Sequence, residues 1–183
     1  MKTKHANTMS GFTLIELLVS LAIVGIIMTS AIPVFAQMIA RNQQTAQLHT
    51  LFSHHQLARS EAIKTNQRVT LCKSSNGQQC TIESQWHDGW IVFSDTDHNK
   101  KINNNERVIF IQQALANNLT LKYKGFGSHN YISYFSDGRS STNGTFTLCT
   151  QFKDETARSI IISRTGRARL DNKGSDGGTL ECS

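Results

Sequence analysis

The chain has 183 residues, which is enough for one domain with an appendage and too short for two ordinary domains. It is basic, with 19 Lys and Arg against 13 Asp and Glu, and this excess suits a polyanionic partner or an acidic surface without identifying either. No CxxC pair, nucleophile–base–acid set or phosphate-binding glycine loop stands out, so we expect neither an enzyme nor a bound cofactor or metal.

The N-terminus gives the strongest indication of location. Residues 1–11 are polar, with Lys2 and Lys4 and no acid, and an apolar run follows over residues 12–35 with a single charge, Glu16. As a helix the run would be about 36 Å long, which exceeds the roughly 30 Å core of a bilayer. It is also too long for the apolar core of a signal peptide. The basic leader predicts a cytoplasmic N-terminus and an exported C-terminal part.

The residues around the lone glutamate carry a family resemblance. The segment Gly11-Phe12-Thr13-Leu14-Ile15-Glu16 resembles the GFTLIE motif of type IV prepilins and of the pseudopilins of type II secretion. The resemblance implies cleavage after Gly11 by a prepilin peptidase, N-methylation of Phe12, and pairing of Glu16 with the N-terminal amine of a neighbouring pilin. A carboxylate in a membrane segment is costly, so such a partner would account for Glu16, which an ordinary membrane anchor would not.

The helix is predicted to continue out of the membrane and to span about residues 13–65. An apolar stripe recurs in steps of three and four along its second half and consists of Leu48, Leu51, Phe52, His55, Ala58, Ala62 and Ile63. The stripe predicts an amphipathic segment packed on a folded domain, with Arg59 off the stripe. The adjacent His54 and His55 would point about 100° apart, so we interpret them as helix-face residues rather than ligands of one metal.

Seven short segments rich in β-branched and aromatic residues follow, and turn-forming residues bound them. They are residues 68–73, 90–93, 107–112, 119–123, 131–135, 146–150 and 159–163. One long helix followed by short strands predicts an α+β fold.

Two further segments narrow the resemblance to the FimT/GspH branch of minor pilins and pseudopilins. They are LARSEAI (57–63) with VTLC (69–72), and WHDGWIVF (86–93). The branch implies a pilin-like lollipop with a head of two antiparallel β-sheets. We therefore divide the chain into a leader peptide (1–11), a transmembrane and filament-core helix (12–35), an amphipathic helix (36–66) and a β-rich head with a C-terminal tail (67–183).

The four cysteines are even in number in a chain that looks exported, so we expect two disulfides. Three pairings are possible. We favour Cys72–Cys80, which would close a small loop, and Cys149–Cys182, which would tie the C-terminal tail to a strand. Four reduced thiols would require a cytosolic location, which the leader argues against.

The segment Asp95–Glu106 resembles an EF-hand calcium loop. It has Asp, Asp and Asn at positions one, three and five and Glu at position twelve. Lys100 stands where the turn needs glycine, Lys101 adds a second positive charge to the site, and the flanking segments are predicted strands rather than helices. We interpret the segment as a polar hairpin loop, and calcium binding stays open as the alternative.

The C-terminal segment ISRTGRARL (162–170) carries three arginines with no acid among them, Arg164, Arg167 and Arg169. A two-residue reversal at Thr165-Gly166 would put the first two arginines opposite each other, and strand alternation would add the third to the same face. Asp171 would share that face and neutralise part of its charge, and Lys173 follows. Guanidinium groups bind phosphate oxygens, often in pairs, so this face suits a repeating phosphate backbone.

The residues GRAR (166–169) resemble the C-terminal GRxR of FimT-type minor pilins, which are implicated in DNA binding during natural transformation. The resemblance implies that Arg164, Arg167 and Arg169, with Gly166 and Lys173, form a contact to DNA phosphates without base readout. One hypothesis is therefore a type IV minor pilin that binds extracellular double-stranded DNA and aids its uptake. The other is a purely structural subunit, either a minor pilin or an H-type pseudopilin of type II secretion, that primes filament assembly.

Both hypotheses predict the same location. Each describes a single-pass protein of the bacterial inner membrane whose head lies in the periplasm until the subunit, together with other pilins, enters a filament. Only the DNA-binding hypothesis requires the arginine face.

Overall fold

The computed structural model describes residues 11–150, 157–180 and 182. Within them, one long helix is followed by eight strands. The helix is α1 (Leu14–Thr65), and the strands are β1 (Val69–Lys73), β2 (Trp90–Ser94), β3 (Val108–Gln112), β4 (Leu119–Gly125), β5 (Tyr131–Tyr134), β6 (Gly144–Thr150), β7 (Arg158–Ile162) and β8 (Ala168–Asp171). Each of the seven predicted segments overlaps a strand. The structure also contains an eighth strand that was not predicted, β8, which pairs with β7.

The chain divides into two compact units, Met1–Ile39 and Ala40–Ser183. In the first unit the helix begins after Thr13, whose Oγ1 accepts a hydrogen bond from the backbone N of Glu16 at 3.3 Å and so caps the first turn. Pro33 lies inside α1 without ending it, and the apolar side chains described on this unit are exposed. By length and composition α1 could cross a membrane.

The second unit contains two four-stranded sheets, with strand orders β3-β2-β1-β5 and β4-β6-β7-β8. Every described strand pair is antiparallel, which confirms the α+β fold with two antiparallel sheets. One hydrophobic core joins α1 to both sheets, and its largest fully buried side chains include Trp90, Tyr134 and Phe146.

The predicted apolar stripe of α1 faces this core for most of its length. The fully buried members are Leu48, Leu51, His55, Ala58 and Ala62. Ile63, predicted on the same stripe, is 49% exposed because it stands at the edge of the helix face, where its Cδ1 borders Gly138.

Two disulfides stabilise the second unit. They join Cys72 to Cys80 and Cys149 to Cys182, the two pairs favoured from the sequence, with Cα–Cα distances of 5.5 and 5.8 Å. The first closes the loop after β1, and the second ties the C-terminal tail to β6.

Candidate nucleic-acid interface

The arginine segment forms the turn between β7 and β8, but the predicted two-residue reversal is wrong. The backbone N of Ser163 donates to the carbonyl O of Arg167 at 2.9 Å, and the N of Gly166 donates to the O of Ser163 at 2.9 Å. A two-residue turn of the favoured type I′ needs a positive φ at both central residues. Gly166 has φ +79°, whereas the β-branched Thr165 does not adopt a positive φ. The loop between β7 and β8 therefore contains three residues, 164–166, rather than two. Ser163, rather than Arg164, therefore lies opposite Arg167.

Strand pairing fixes the face on which the later arginines lie. Ile162 pairs with Ala168, and both pack in the core, whereas Arg169 pairs with Ile161 on the other face of the sheet. By alternation Arg167 shares the outer face with Arg169. Asp171 lies on this face as well, with its Oδ2 3.8 Å from Nη2 of Arg169, so one of the three arginines has an acidic neighbour as the sequence predicts.

The other two predicted contact residues lie at opposite ends of the β7–β8 hairpin. Arg164 is exposed at the tip of the loop, and its carbonyl O accepts a hydrogen bond from the N of Ser140 at 3.2 Å. Lys173 is exposed in the bend after the end of β8, where its backbone N donates a hydrogen bond to Oδ1 of Asp171 at 3.1 Å. The structure thus gathers the three arginines at one end of the hairpin and leaves Lys173 at the other.

Gly166 has a packing role that its sequence position does not reveal. It is buried, and a Cβ built on it would lie 1.9 Å from the carbonyl O of Gly138. The same oxygen accepts a hydrogen bond from Nε of Arg59 at 2.9 Å. Arg59, placed on the polar side of the helix by its periodicity, therefore anchors the loop at Gly138, on which the arginine turn packs. The periodicity of the helix alone does not distinguish it from an ordinary surface arginine.

The calcium-like loop Asp95–Glu106 connects the antiparallel strands β2 and β3. Carboxylate oxygens of its acids Asp95, Asp97 and Glu106 lie within 4.8 Å of one another, the only such group among the described residues. These acids already accept hydrogen bonds from the loop itself, for example from the N of Lys100 to Asp95 at 3.1 Å and from the N of Thr96 to Glu106 at 2.7 Å.

Lys100 takes the backbone conformation expected of glycine, with φ +62°. Its Nζ lies 4.5 Å from the centroid of the Tyr131 ring. The expectation that both lysines direct charge into the carboxylate group is therefore wrong for Lys100, because the aromatic face attracts its ammonium elsewhere.

The two adjacent histidines are core residues and do not belong to that carboxylate group. His54 Nδ1 accepts a hydrogen bond from Nε1 of Trp90 at 3.1 Å, and His55 Nδ1 is hydrogen-bonded to the hydroxyl of Tyr134 at 3.0 Å. Burial lowers the pKa of His54 to about 4, and burial together with the neighbouring His54 lowers the pKa of His55 to about 3. Both are therefore neutral at physiological pH and stabilise the junction between α1 and the sheets.

The residues predicted for processing and assembly lie at the start of the described chain. Gly11 and Phe12 precede α1, and Phe12 is 83% exposed. Glu16 is in the first turn of α1 and is also exposed. This arrangement leaves all three available to other proteins.

Comparison with known proteins gives two sequence matches and a set of similar structures. Residues 47–166 match the family described as type II transport protein GspH, and residues 7–32 match the prokaryotic N-terminal methylation motif. No curated protein sequence matches significantly.

The similar structures include the type IV minor pilin FimU of Pseudomonas aeruginosa, with a TM-score of 0.56, 20% identity, and coverage of 75% of this chain and 96% of that one. They also include the minor pseudopilin EpsH of the Vibrio cholerae type 2 secretion system, with a TM-score of 0.51, 15% identity, and coverage of 70% and 95%. At these identities the likeness shows the fold.

Proposed function

The chain belongs to the GspH family of pilin-like subunits, and from that premise we propose that it is a type IV minor pilin that binds double-stranded DNA through its phosphate backbone. The observation that carries the proposal is the exposed turn that brings Arg164, Arg167 and Arg169 to one end of the β7–β8 hairpin. The DNA would be extracellular, and its capture would aid uptake in natural transformation.

The chemistry of this turn favours phosphate. A guanidinium presents a planar set of N–H donors that matches two oxygens of one phosphate. Within the described part of this hairpin one acid, Asp171, lies on the same face, and it forms a surface pair with Arg169 at 3.8 Å. Such pairs contribute about 0–1 kcal/mol, so a phosphate can replace the carboxylate at little cost.

The shape of the turn argues against base readout. The three arginines stand on a hairpin tip and on one face of an edge strand, and α1, the one α-helix of the described residues, contributes none of them. Neutralising about three phosphates gives a salt slope near −2.7, so the affinity should fall about 40-fold between about 50 and about 200 mM salt. One molecule would bind weakly, and useful capture would need several copies on one filament.

The test is a titration of the full chain, in an uncharged detergent, against a labelled DNA duplex at low and moderate salt. The variant Arg164→Gln/Arg167→Gln/Arg169→Gln should lose binding. A control in which Lys100 and Lys101, in the β2–β3 loop of the other sheet, are changed to Gln removes two positive charges away from the arginine face and should retain it. Equal binding by both variants, or no binding by the native chain, would overturn the proposal.

The family match itself favours a second candidate, a purely structural subunit, either a minor pilin or an H-type pseudopilin of a type II secretion system that primes assembly. In cells, the two candidates differ in what the arginine variant does. If the chain binds DNA, the variant should assemble filaments normally and fail in DNA uptake. If the chain is only structural, deletion should abolish assembly or secretion and the arginine variant should behave as the native chain.

We also infer how the N-terminus is used, because the methylation motif matches residues 7–32. The leader 1–11 would be removed after Gly11, Phe12 would be methylated, and Glu16 would pair with the terminal amine of another pilin. The segment 12–35 would hold the chain in the inner membrane before assembly, with 36–66 and the head 67–183 on the periplasmic side. Mass spectrometry of the mature N-terminus tests the cleavage and the methylation together.

A further inference from the structure

A second turn with the same backbone geometry packs against the arginine turn. We call residues 135–139 (FSDGR) the first Gly-Arg turn and residues 163–167 (SRTGR) the second. In the first turn the N of Phe135 donates to the O of Arg139 at 2.9 Å, and the N of Gly138 donates to the O of Phe135 at 2.8 Å. The equivalent bonds of the second turn are both 2.9 Å long, and the two glycines have φ +78° and +79°. Each turn therefore places an arginine directly after a left-handed glycine.

The two turns belong to different sheets, yet their backbones touch. Gly166 packs directly on the carbonyl O of Gly138, and the N of Ser140 donates to the O of Arg164 at 3.2 Å. Arg59 of α1 holds the first turn in place by donating to the same Gly138 oxygen at 2.9 Å. The first turn is thereby fixed beside the arginines of the second.

The first turn adds cationic groups to this end of the head. The side chain of Arg139 is 69% exposed, and its Nε lies 2.5 Å from Oδ2 of Asp137, whose side chain is also exposed. The guanidinium of Arg68 lies 4.9 Å from the centroid of the Phe135 ring, so it adds a positive charge at the base of the first turn. Asp137 is thus the acidic group that the first turn itself places beside Arg139.

We propose that Arg139 is a further DNA-contacting residue, and that the two Gly-Arg turns form one phosphate-binding surface on which Asp137 opposes binding. This inference rests on the proposed function and adds to its contact set a residue outside the GRAR segment. One strand of a duplex carries a charge about every 3.4 Å along the axis, so arginines on two touching turns can meet successive phosphates of that strand. The Arg139–Asp137 pair is exposed to solvent and therefore weak, so a phosphate can displace the carboxylate from the guanidinium.

The test uses the full chain and the same labelled duplex with two single variants of the first turn. Arg139→Gln should reduce the salt slope by about 0.9 and weaken binding about 8-fold at about 0.1 M salt, which is the contribution of one phosphate contact. Asp137→Asn should strengthen binding between about 1.4- and 5-fold, because it frees the guanidinium. Lys101→Gln, in the exposed β2–β3 loop of the other sheet, removes one charge and should change the slope little.

A double variant separates the pairing from a general effect of charge. In the Arg139→Gln background, Asp137→Asn should have little effect, since no arginine remains for it to free. If Asp137→Asn strengthens binding equally in both backgrounds, the acid does not act through Arg139 and this part of the inference is wrong. The unfolding midpoints of the single variants should stay close to native, because both side chains are exposed.

The outcomes distinguish this inference from the function on which it rests. If the variant of Arg164, Arg167 and Arg169 loses DNA while Arg139→Gln binds with the native slope, the second turn acts alone and the inference is overturned. If the native chain does not bind DNA, the proposed function and the inference both fail. If Arg139→Gln reduces the salt slope by about 0.9 and the triple variant loses all DNA binding, the results support both the proposed function and this inference.

Discussion

Replacing Gly166 by alanine should separate the two Gly-Arg turns. A Cβ at position 166 would lie 1.9 Å from the carbonyl O of Gly138 and 3.1 Å from Nε of Arg59. A backbone oxygen cannot move aside as the end of a flexible side chain can, so the second turn must shift away from the first. That shift breaks the hydrogen bond from Ser140 to the carbonyl O of Arg164 and disturbs the one from Arg59 to Gly138.

The expected loss of stability has two parts. Alanine in the left-handed region costs about 1–2 kcal/mol. Loss or weakening of one or two hydrogen bonds adds about 0.5–1.5 kcal/mol for each. We therefore expect the free energy of unfolding to fall by about 1.5–5 kcal/mol. Gly177 provides a matched control, because it has φ +80° with no atom within 4 Å of its would-be Cβ. Gly177→Ala should cost only the conformational part, about 1–2 kcal/mol.

Urea unfolding followed by tryptophan fluorescence measures both variants, since Trp86 and Trp90 are buried in the core. The same Gly166→Ala protein should also bind DNA several-fold more weakly although it loses no charge, because its arginines no longer form one surface. If Gly166→Ala costs no more than Gly177→Ala, the contact between the turns does not constrain the fold and the reasoning fails.

Three further predictions use the same unfolding assay. Lowering the pH from about 7.5 to about 5.5 should cost about 1.4 kcal/mol through each of His54 and His55, because burial lowers their pKa values to about 4 and about 3 while the unfolded chain takes up both protons as the pH falls through about 6.5; His55→Gln should lose about half of this dependence and the exposed His49→Gln should keep all of it. Changing Cys149 and Cys182 to serine should lower the unfolding free energy by about 4 kcal/mol, since the disulfide closes a loop with a sequence separation of 33, and a loss below about 1 kcal/mol would contradict the entropic argument. Millimolar calcium should leave the midpoint unchanged, because backbone amides already occupy the carboxylates of the 95–106 loop, and a calcium-dependent rise would show that the ion displaces them.

The elements of the fold could be predicted because their patterns are local. The three-and-four spacing of Leu48, Leu51 and Ala58 identifies the buried face of α1 without knowledge of what covers it. The pattern fails at Ile63, which lies at the edge of the helix face beside Gly138, so the same spacing no longer implies burial there. It also gives no sign that His54, off the stripe, would be buried against Trp90 and Phe110.

The candidate site could be predicted only in part. The arginines of the second Gly-Arg turn are visible as a cluster in the chain, but the loop length depends on whether Thr165 accepts a positive φ, which a Thr-Gly pair leaves open. The first Gly-Arg turn cannot be linked to the second by any local pattern, because a contact between two sheets brings them together. The one signal available was the repetition of Gly-Arg after a turn-forming residue, as Asp-Gly-Arg and Thr-Gly-Arg.

The acids beside the two Gly-Arg turns explain how such a cluster of arginines can be stable in the free protein. Like charges on one face repel, and Asp137 beside Arg139 and Asp171 beside Arg169 reduce that repulsion in the free protein. A phosphate must then replace a carboxylate at each of these arginines, so the gain from each contact is smaller than for an unpaired cation. Under the proposed function, a surface built in this way would hold DNA weakly and reversibly on one molecule. If the chain works within a filament as proposed, strong attachment to DNA would arise only where several copies contact the same duplex, and release would follow when few do.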